Sequence, residues 1–275
     1  MTRADARSRV VEADGARLYV EEAGQGPAVV FLHPGLWDSR TWDDQFGSFS
    51  EWYHVVRFDA RGFGRSSRRE DGAVYSLVGD LLAVLDAAEI ERAALVGCSM
   101  GGGTALDCAL VAPDRVAALV LAASALGGFE DGTPEEEAWF AERMGPVRVA
   151  IEEGDLERAQ DLRVRTMWAL LGTDDARGAR IRQIALDNRD EIVQDESGEV
   201  EVEPPAFERL EEILAPTLVL PADHDPPWTP RVSRMLADRI PNARLVQIPD
   251  VDHVVNMRNP AEFDAAVLTF LGEVL

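Results

Sequence analysis

The stretch Ala93-Ala94-Leu95-Val96-Gly97-Cys98-Ser99-Met100-Gly101-Gly102-Gly103-Thr104-Ala105-Leu106 decides how the rest of this chain is interpreted. It opens with a short apolar run typical of a buried strand, and from Ala105 the apolar residues recur at helical spacing. The small residues between the two patterns predict a sharp strand-to-helix turn. Gly97 and Gly101 stand two positions before and after Ser99, which leaves room for a serine in a strained backbone conformation.

The turn is a candidate site for a nucleophile. The first turn of the following helix presents free N–H groups and the positive end of the helix dipole to the space above Ser99, and such a space suits an oxyanion. A plain glycine-rich turn is the alternative interpretation, because a pattern fixed at only three positions also arises by chance. The position between a strand and a helix favours the nucleophile. With these parts in place, the stretch resembles the nucleophile elbow of the α/β-hydrolase fold superfamily.

Composition excludes several other classes of function. The chain of 275 residues is 46% hydrophobic, which is ordinary for an enzyme with a sizeable core. Its formal net charge of −23 argues against nucleic acid and anionic membrane surfaces as partners. The chain contains no lysine, which excludes a lysine nucleophile, and Cys98 and Cys108 are too few for a disulfide framework. Together with a polar amino terminus and no long apolar run, these features predict a soluble cytoplasmic protein.

Strands alternate with helices through most of the chain, which predicts an α/β fold with a mostly parallel, eight-stranded sheet covered by helices on both faces. The Asp14-Gly15 turn predicts an antiparallel hairpin at one edge. The alternation stops between residues 125 and 205, where only helical periodicity is found. This predicts a helical cap inserted into a core formed by residues 1–124 and 206–275. The predicted strands are residues 10–13, 18–22, 28–32, 53–58, 117–122, 217–220 and 243–248, together with the strand that begins at residue 93 and leads into the elbow.

A serine nucleophile needs a base within hydrogen-bonding reach and an acid that orients this base. Of the four histidines, His253 alone lies in an otherwise unassigned loop after a late strand, and Asp225 follows the preceding strand. The resulting order of Ser99, Asp225 and His253 along the chain is that of the α/β hydrolases. Three nearby carboxylates stay open as alternatives to Asp225: Asp223, Asp250 and Asp252. Asp252 stands where the family usually has a small residue, and we interpret it as a surface aspartate of no consequence, with a charge effect on His253 as the alternative.

Acyl transfer also requires two N–H donors that face the developing oxyanion. The Met100 amide is one candidate, because it opens the helix after the serine. The family resemblance assigns the second donor to the amide of Gly35 in the His33-Pro34-Gly35 loop. Pro34 replaces the usual glycine of this loop and has no N–H of its own, which leaves the Gly35 donor intact.

Further segments resemble one branch of the superfamily, that of the 3-oxoadipate enol-lactonases, small esterases and cofactor-free haloperoxidases. They include the Asp59 to Ser66 loop, residues 112–116 and residues 259–263, and the resemblance covers roughly 10–124 and 216–271. It implies a serine hydrolase that cleaves a carboxylic ester or lactone of a small molecule, without cofactor or metal. Ser99 excludes the aspartate nucleophile of the dehalogenases and epoxide hydrolases of this fold. A C–C bond hydrolase, a perhydrolase or haloperoxidase, and a non-catalytic ligand receptor stay open, as does a homo-oligomer.

The specificity of such an enzyme would depend on its pocket. The predicted lining is His33, Leu36, Trp37, Trp139, Met167, Trp168 and Trp228, although apolar residues of the cap are as readily explained by packing within the cap. Five cap arginines offer a counter-charge for one substrate carboxylate, but pairing with surrounding acids is the favoured interpretation. They are Arg163, Arg165, Arg177, Arg180 and Arg182.

Overall fold

The computed structural model describes residues 6–130 and 132–275, so the first five residues of the predicted core and one residue of the predicted cap lie outside it. The described chain folds around one eight-stranded sheet, which confirms the predicted α/β-hydrolase architecture. Short runs rich in valine, leucine and alanine become the central strands, which are buried on both faces of the sheet. The strands are β1 (Arg7–Ala13), β2 (Ala16–Ala23), β3 (Ala28–Leu32), β4 (His54–Phe58), β5 (Ala93–Cys98), β6 (Val116–Ala122), β7 (Thr217–Leu220) and β8 (Ala243–Leu245).

The order of the strands places β5 in the middle of the sheet. The order is β1-β2-β4-β3-β5-β6-β7-β8, in which β1 pairs with β2 and β2 with β4 in antiparallel fashion, while all other neighbours are parallel. The hairpin predicted at Asp14-Gly15 joins β1 and β2, and both residues have positive φ angles, as a tight hairpin turn requires. The parallel strands end at one edge, so the loops that follow them share one rim of the sheet.

Helices cover both faces of the sheet. One buried cluster packs α2 (Leu77–Ala87), α3 (Met100–Val111) and α8 (Trp228–Arg239) on one face. A second cluster packs α1 (Asp43–Phe49) and α10 (Pro260–Val274) on the other. The last helix begins as predicted at Asn259-Pro260, where the asparagine side chain accepts a hydrogen bond from the Glu262 amide. The helices outside the cap are α1 (Asp43–Phe49), α2 (Leu77–Ala87), α3 (Met100–Val111), α7 (Ala206–Arg209), α8 (Trp228–Arg239), α9 (Val255–Arg258) and α10 (Pro260–Val274).

The chain between residues 125 and 205, here named the cap segment, contributes no strand to the sheet in its described part. Its first helix is capped by Thr133, whose hydroxyl bonds the Glu136 amide while the Glu136 carboxylate bonds the Thr133 amide. Apolar residues of the cap segment pack on the loop after β3. The cap segment contains α4 (Pro134–Glu152), α5 (Leu156–Arg163), a π-helical turn (Val164–Trp168) and α6 (Ala176–Asp187).

The strand β8 is shorter than the sequence predicts, because it ends at Leu245 rather than at residue 248. It is an edge strand with β7 as its single neighbour, and its last two residues are exposed. The chain then turns through Pro249, which cannot donate to a ladder of hydrogen bonds, and Asp250, which has a φ of 56°. Within the described residues, no helix combines the length and apolarity needed to cross a membrane.

Candidate active site

Ser99 occupies the turn between β5 and α3 in a strained conformation, with φ of 51° and ψ of −117°. The flanking glycines make this turn possible. A Cβ atom at Gly97 would overlap the carbonyl oxygen of Gly101, and one at Gly101 would overlap the carbonyl oxygen of Leu32. Both obstacles are backbone atoms, which cannot rotate away. The helix therefore reaches the end of the strand only because these two positions carry no side chain.

We expect Gly97→Ala to destabilise the fold by about 1–3 kcal/mol or more, because the added methyl group meets backbone in a packed core. Gly103→Ala is the matched control. There the nearest atom to the added Cβ is Ala125 Cβ at 3.5 Å, an ordinary contact, and alanine favours a helix by up to about 1 kcal/mol over glycine. Urea unfolding of both variants measures the difference. Equal stability of the two would show that the close approach at Gly97 does not constrain the turn.

His253 and Asp225 form a buried pair at the same rim. The two carboxylate oxygens of Asp225 lie 3.0 and 2.9 Å from His253 Nδ1. The aspartate side chain is fully buried and the histidine side chain is 5% exposed. Burial raises the pKa of the Asp225 carboxyl, although the nearby imidazole and the Thr229 hydroxyl oppose the rise. An ionised Asp225 accepts a hydrogen bond from Nδ1–H of His253, which keeps the proton on Nδ1 and leaves Nε2 as the basic nitrogen.

The loop that carries His253 returns from the edge of the sheet to its centre. The strand β8 stands three positions from β5, a span of roughly 14 Å at the usual strand spacing. The backbone carbonyl of His253 nevertheless lies 3.3 Å from Cys98 Sγ, and Cys98 is the residue before the serine. Within the described chain, Ser99 Oγ makes no hydrogen bond to the imidazole. Catalytic hydrogen bonds are often long in a free enzyme and tighten when substrate binds.

The geometry separates Asp225 from the neighbouring acids. Asp223 is exposed and accepts the main-chain amides of Asp250 at 3.1 Å and Val251 at 2.9 Å, so it shapes the loop. Asp223, Asp250 and His224 bring one potential ligand atom each to within 4.8 Å of one another, but all three are exposed, and exposed acidic groups often gather without an ion. Among these carboxylates, Asp225 is the one hydrogen-bonded to the imidazole.

The interpretation of Asp252 as a surface residue is wrong. Its side chain is fully buried and forms an ion pair of 2.7 Å with Arg258. A buried carboxylate requires a partner, but Arg258 stands six residues further on, at a spacing that fits no local helix or strand pattern. Sequence reasoning therefore missed both members of this pair.

The loop after β3 places Gly35 against the side chain of Met100, and these are the two residues whose amides are predicted as oxyanion donors. The position of a Cβ on Gly35 would lie 3.8 Å from Met100 Sδ, and Met100 is the first residue of α3, so its N–H has no acceptor within the helix. His33 fixes this loop. Its Nε2 accepts the Ala60 amide at 2.9 Å and its Nδ1 donates to the Pro34 carbonyl at 2.8 Å, while burial lowers its pKa. Both ring nitrogens are thus used by the main chain, which leaves only ring carbons to contact a substrate.

A series of tryptophan contacts leads from the imidazole through the cap segment to the start of α8. The Trp168 ring lies 4.3 Å from the His253 ring, and Trp228 lies 6.4 Å from Trp168 and 5.5 Å from Trp139. Trp168 ends the π-helical turn, a type of irregularity common at functional sites. Its indole nitrogen is buried and has no hydrogen-bonding partner in the part of the chain that the structure describes.

The remaining predicted pocket residues are more deeply buried. Trp37 has no exposed surface, its indole nitrogen donates to the Ile181 carbonyl at 2.9 Å, and its ring lies 6.3 Å from that of His253. Leu36 has a positive φ of 72° and is 7% exposed, and Met167 is 1% exposed. Trp37 and Leu36 belong to the apolar cluster that joins the loop after β3 to the cap segment.

Several of the cap arginines are paired with acids, as the favoured interpretation predicts. The pairs are Arg163–Glu191 at 2.5 Å, Arg180–Asp43 at 2.9 Å and Arg182–Asp161 at 2.5 Å. Arg177 donates to the Met257 carbonyl at 3.0 Å. The charges of Arg163, Arg180 and Arg182 are therefore already compensated by acids of the protein.

A cavity of about 180 Å³ lies beside Met100, between α3 and the end of the cap segment. Three carboxylates line it: Asp107, Glu199 and Glu201. Burial raises the pKa of Asp107 to about 6, with a further contribution from the other two charges. Burial also raises the pKa of Glu199. The cavity is therefore an unfavourable place for an anionic group.

Comparison with known proteins agrees with this architecture. The family model of the alpha/beta hydrolase fold matches residues 27–260. The chain belongs to the α/β-hydrolase fold family. Among its relatives, 3-oxoadipate enol-lactonase 1 of Acinetobacter baylyi is 28% identical over 92% of this chain and 92% of that protein. A putative carbamate hydrolase, RutD of Caulobacter sp., is 30% identical over 93% of this chain and 96% of that protein. The resemblance to the enol-lactonase branch is thus confirmed.

Two further matches show how widely the α/β-hydrolase core is shared. The solved structure of Est816, described as an N-acyl homoserine lactone degrading enzyme, superimposes with a TM-score of 0.72 at 28% identity and covers 95% of this chain and 100% of that chain. A match of 40% identity to an epoxide hydrolase of Caballeronia sordidicola is local, since it spans 113 residues, 40% of this chain and only 34% of that protein.

Proposed function

We propose that this α/β hydrolase is a serine esterase or lactonase that acts through an acyl-enzyme on Ser99. The observation that carries the proposal is the buried Asp225–His253 hydrogen bond, held beside the elbow by the contact between Cys98 and the His253 carbonyl. A strained serine, an oriented imidazole and a buried carboxylate are the three parts that nucleophilic acyl transfer requires.

In this mechanism Ser99 Oγ attacks the carbonyl carbon of the substrate while His253 Nε2 takes the hydroxyl proton. Asp225 accepts a hydrogen bond from the Nδ1–H group, which keeps its proton, and the carboxylate charge stabilises the imidazolium. The amides of Gly35 and Met100 donate to the oxyanion of the tetrahedral intermediate. The intermediate collapses, the alcohol leaves with the proton from Nε2, and an acyl group remains on Ser99. His253 then activates a water molecule, which releases the acid and restores the serine.

The carboxylates of the cavity beside Met100, the residue after Ser99, favour a neutral substrate. The cavity beside Met100 is lined by three carboxylates, and the described arginine pairs of the cap segment are already compensated. A substrate whose carboxylate reached this cavity would be repelled by these charges, and Arg163, Arg180 and Arg182, which are paired with acids, would not offset the repulsion. The aromatic surroundings of His253 fit an apolar acyl or aryl group. We therefore propose neutral esters and lactones of small organic acids as the substrate class.

A panel of substrates tests this assignment. We expect kcat/KM for neutral p-nitrophenyl esters and lactones of graded acyl length to exceed that for matched compounds with a free carboxylate by about tenfold, which corresponds to about 1.4 kcal/mol of repulsion. A carbamate, a 1,3-diketone and a peroxide-dependent halogenation assay belong to the panel as probes of other activities. Faster turnover of the anionic compounds would contradict the proposed substrate class, and cleavage of the diketone alone would indicate a C–C bond hydrolase.

A further inference from the structure

The loop between β8 and α9 that carries Asp252 and His253, here named the histidine loop, is connected to the cap segment through a buried ion pair. The proposed chemistry does not use this pair. The Asp252 carboxylate receives Arg258 Nε at 2.8 and 3.0 Å on its two oxygens and Arg258 Nη2 at 2.7 Å. The Asp252 side chain has no exposed surface and that of Arg258 is 5% exposed. Two N–H groups of the fork meet the two carboxylate oxygens, which is the geometry that holds such a pair most rigidly.

Each member of the pair also binds one main-chain group of the cap segment. The Leu171 amide donates to Asp252 Oδ2 at 3.1 Å, and Arg258 Nη2 donates to the Gly172 carbonyl at 2.7 Å. These two residues lie in the turn just after the π-helical segment that ends at Trp168. The turn is thus bound at one donor and at one acceptor: the carboxylate holds the Leu171 amide, and the guanidinium holds the Gly172 carbonyl.

The ion pair also lies close along the chain to two rings that contact each other, those of His253 and Trp168. His253 directly follows Asp252 in the chain, and Trp168 stands three residues before Leu171. The two rings lie 4.3 Å apart at an angle of 44°. The imidazole is hydrogen-bonded to Asp225 through Nδ1 and lies beside the Trp168 ring. The loop that carries His253 and the turn after Trp168 are connected through the Asp252–Arg258 pair.

We propose that Asp252 and Arg258 are positioning residues, which lock the turn after Trp168 onto the histidine loop and so hold the His253 imidazole in the orientation required for proton transfer. This inference rests on the proposed role of His253 as the base. Neither side chain contacts the reacting atoms in this assignment. Their effect is on the placement of the imidazole, and a small misplacement of a catalytic group costs up to about 100-fold in rate.

The test compares two substitutions of equal chemistry at buried ion pairs. Arg258→Lys keeps the charge but loses the fork that spans Asp252 and Gly172. Arg61→Lys is the matched control, because Arg61 pairs with Asp80, the two side chains are 4% and 2% exposed, and Arg61 also binds the Ala13 carbonyl at 3.2 Å. Both variants are assayed for kcat and KM on p-nitrophenyl butyrate, for the rate of labelling of Ser99 by a fluorophosphonate, and for urea stability.

We expect Arg258→Lys to lower kcat and the labelling rate by about tenfold or more with KM changed less than about threefold, while Arg61→Lys leaves kcat within about twofold at a similar loss of stability. Asp252→Asn, which keeps an acceptor for Leu171, should act in the same direction. Because the two residues act as one unit, the double variant should lose much less than the product of the two single losses.

The outcomes separate this inference from the proposed function. If the wild-type protein hydrolyses the ester and is labelled at Ser99 while Arg258→Lys and Asp252→Asn keep full kcat, the positioning role is refuted and the hydrolase assignment stands. Equal losses of kcat in Arg258→Lys and Arg61→Lys would likewise refute it, because the effect would then follow from stability alone. Absence of labelling at Ser99 in the wild-type protein would overturn both.

Discussion

Ser99→Ala is expected to lower ester turnover by about 10⁴- to 10⁶-fold and to abolish covalent labelling by fluorophosphonates. The hydroxyl is the only group in the proposed mechanism that forms a bond to the substrate, and removal of a nucleophilic serine leaves only the rate supplied by binding and the oxyanion donors. Hydrolysis of a p-nitrophenyl ester measures the first effect, and intact-protein mass spectrometry measures the second.

A control for this variant lies close to the elbow. Ser124 follows β6, is buried, and donates from its hydroxyl to the Ala125 carbonyl at 2.8 Å. Ser124→Ala should keep both turnover and labelling. If Ser99→Ala keeps its turnover, or if the label is found on another residue, the nucleophile has been assigned wrongly.

The strained backbone at Ser99 allows a second test at this position, in which the stability of the fold is measured. Its φ of 51° with ψ of −117° is costly for any residue with a side chain, by about 1–3 kcal/mol. Ser99→Gly should therefore be as inactive as Ser99→Ala yet more stable to urea. A residue that is required for activity but lowers the stability of the fold is typical of an active site, where activity is gained at a cost in stability.

Asp225→Asn is expected to lower kcat by about 10⁴-fold with little change in the fold. The amide that replaces the carboxylate can donate a hydrogen bond to Nδ1 of His253, which favours the tautomer with its proton on Nε2, and this imidazole can no longer accept the serine proton. Asp223→Asn is the matched control in the same loop, because Asp223 binds only the Asp250 and Val251 amides among the described contacts. We expect its kcat to stay within about threefold of the wild type.

Asp225→Asn is also expected to change how the stability of the fold depends on pH. Burial raises the pKa of this carboxyl in the folded state. The folded protein therefore binds the proton more tightly than the unfolded chain, so the free energy of unfolding falls as the pH rises from the unfolded value near about 4 through the folded pKa. Asp225→Asn removes this loss and should be at least as stable as the wild type at pH 8. A large loss of stability at that pH would show that the ion pair with His253 outweighs the cost of burial.

The elbow is the element that sequence predicts best. Gly97, Ser99 and Gly101 act through steric contacts within a few residues, and the strand before them and the helix after them are encoded in local apolar periodicity. The same holds for the hairpin at Asp14-Gly15 and for the helix that begins at Asn259-Pro260. Each of these features depends on neighbours along the chain, so a single sequence contains all the information needed.

The identity of the acid is less fully determined by sequence. Asp223 and Asp225 stand two residues apart in one loop and look equivalent in a sequence, and both satisfy the chain order of serine, acid and histidine. In the structure the first binds the main chain of the neighbouring loop and the second binds the imidazole. That choice depends on how the loops after β7 and β8 pass each other, a contact between segments 28 residues apart.

By itself, then, the sequence determined the alternating sheet and its elbow, because apolar periodicity and the absence of a side chain at glycine act locally. Only the tertiary structure decided that Asp252 is buried against Arg258, that the Leu171 amide binds Asp252, and that the Trp168 ring lies beside the His253 ring. The physical reason is that a buried charge or an aromatic face finds its partner across space. No periodicity in the chain records which distant segment will supply that partner.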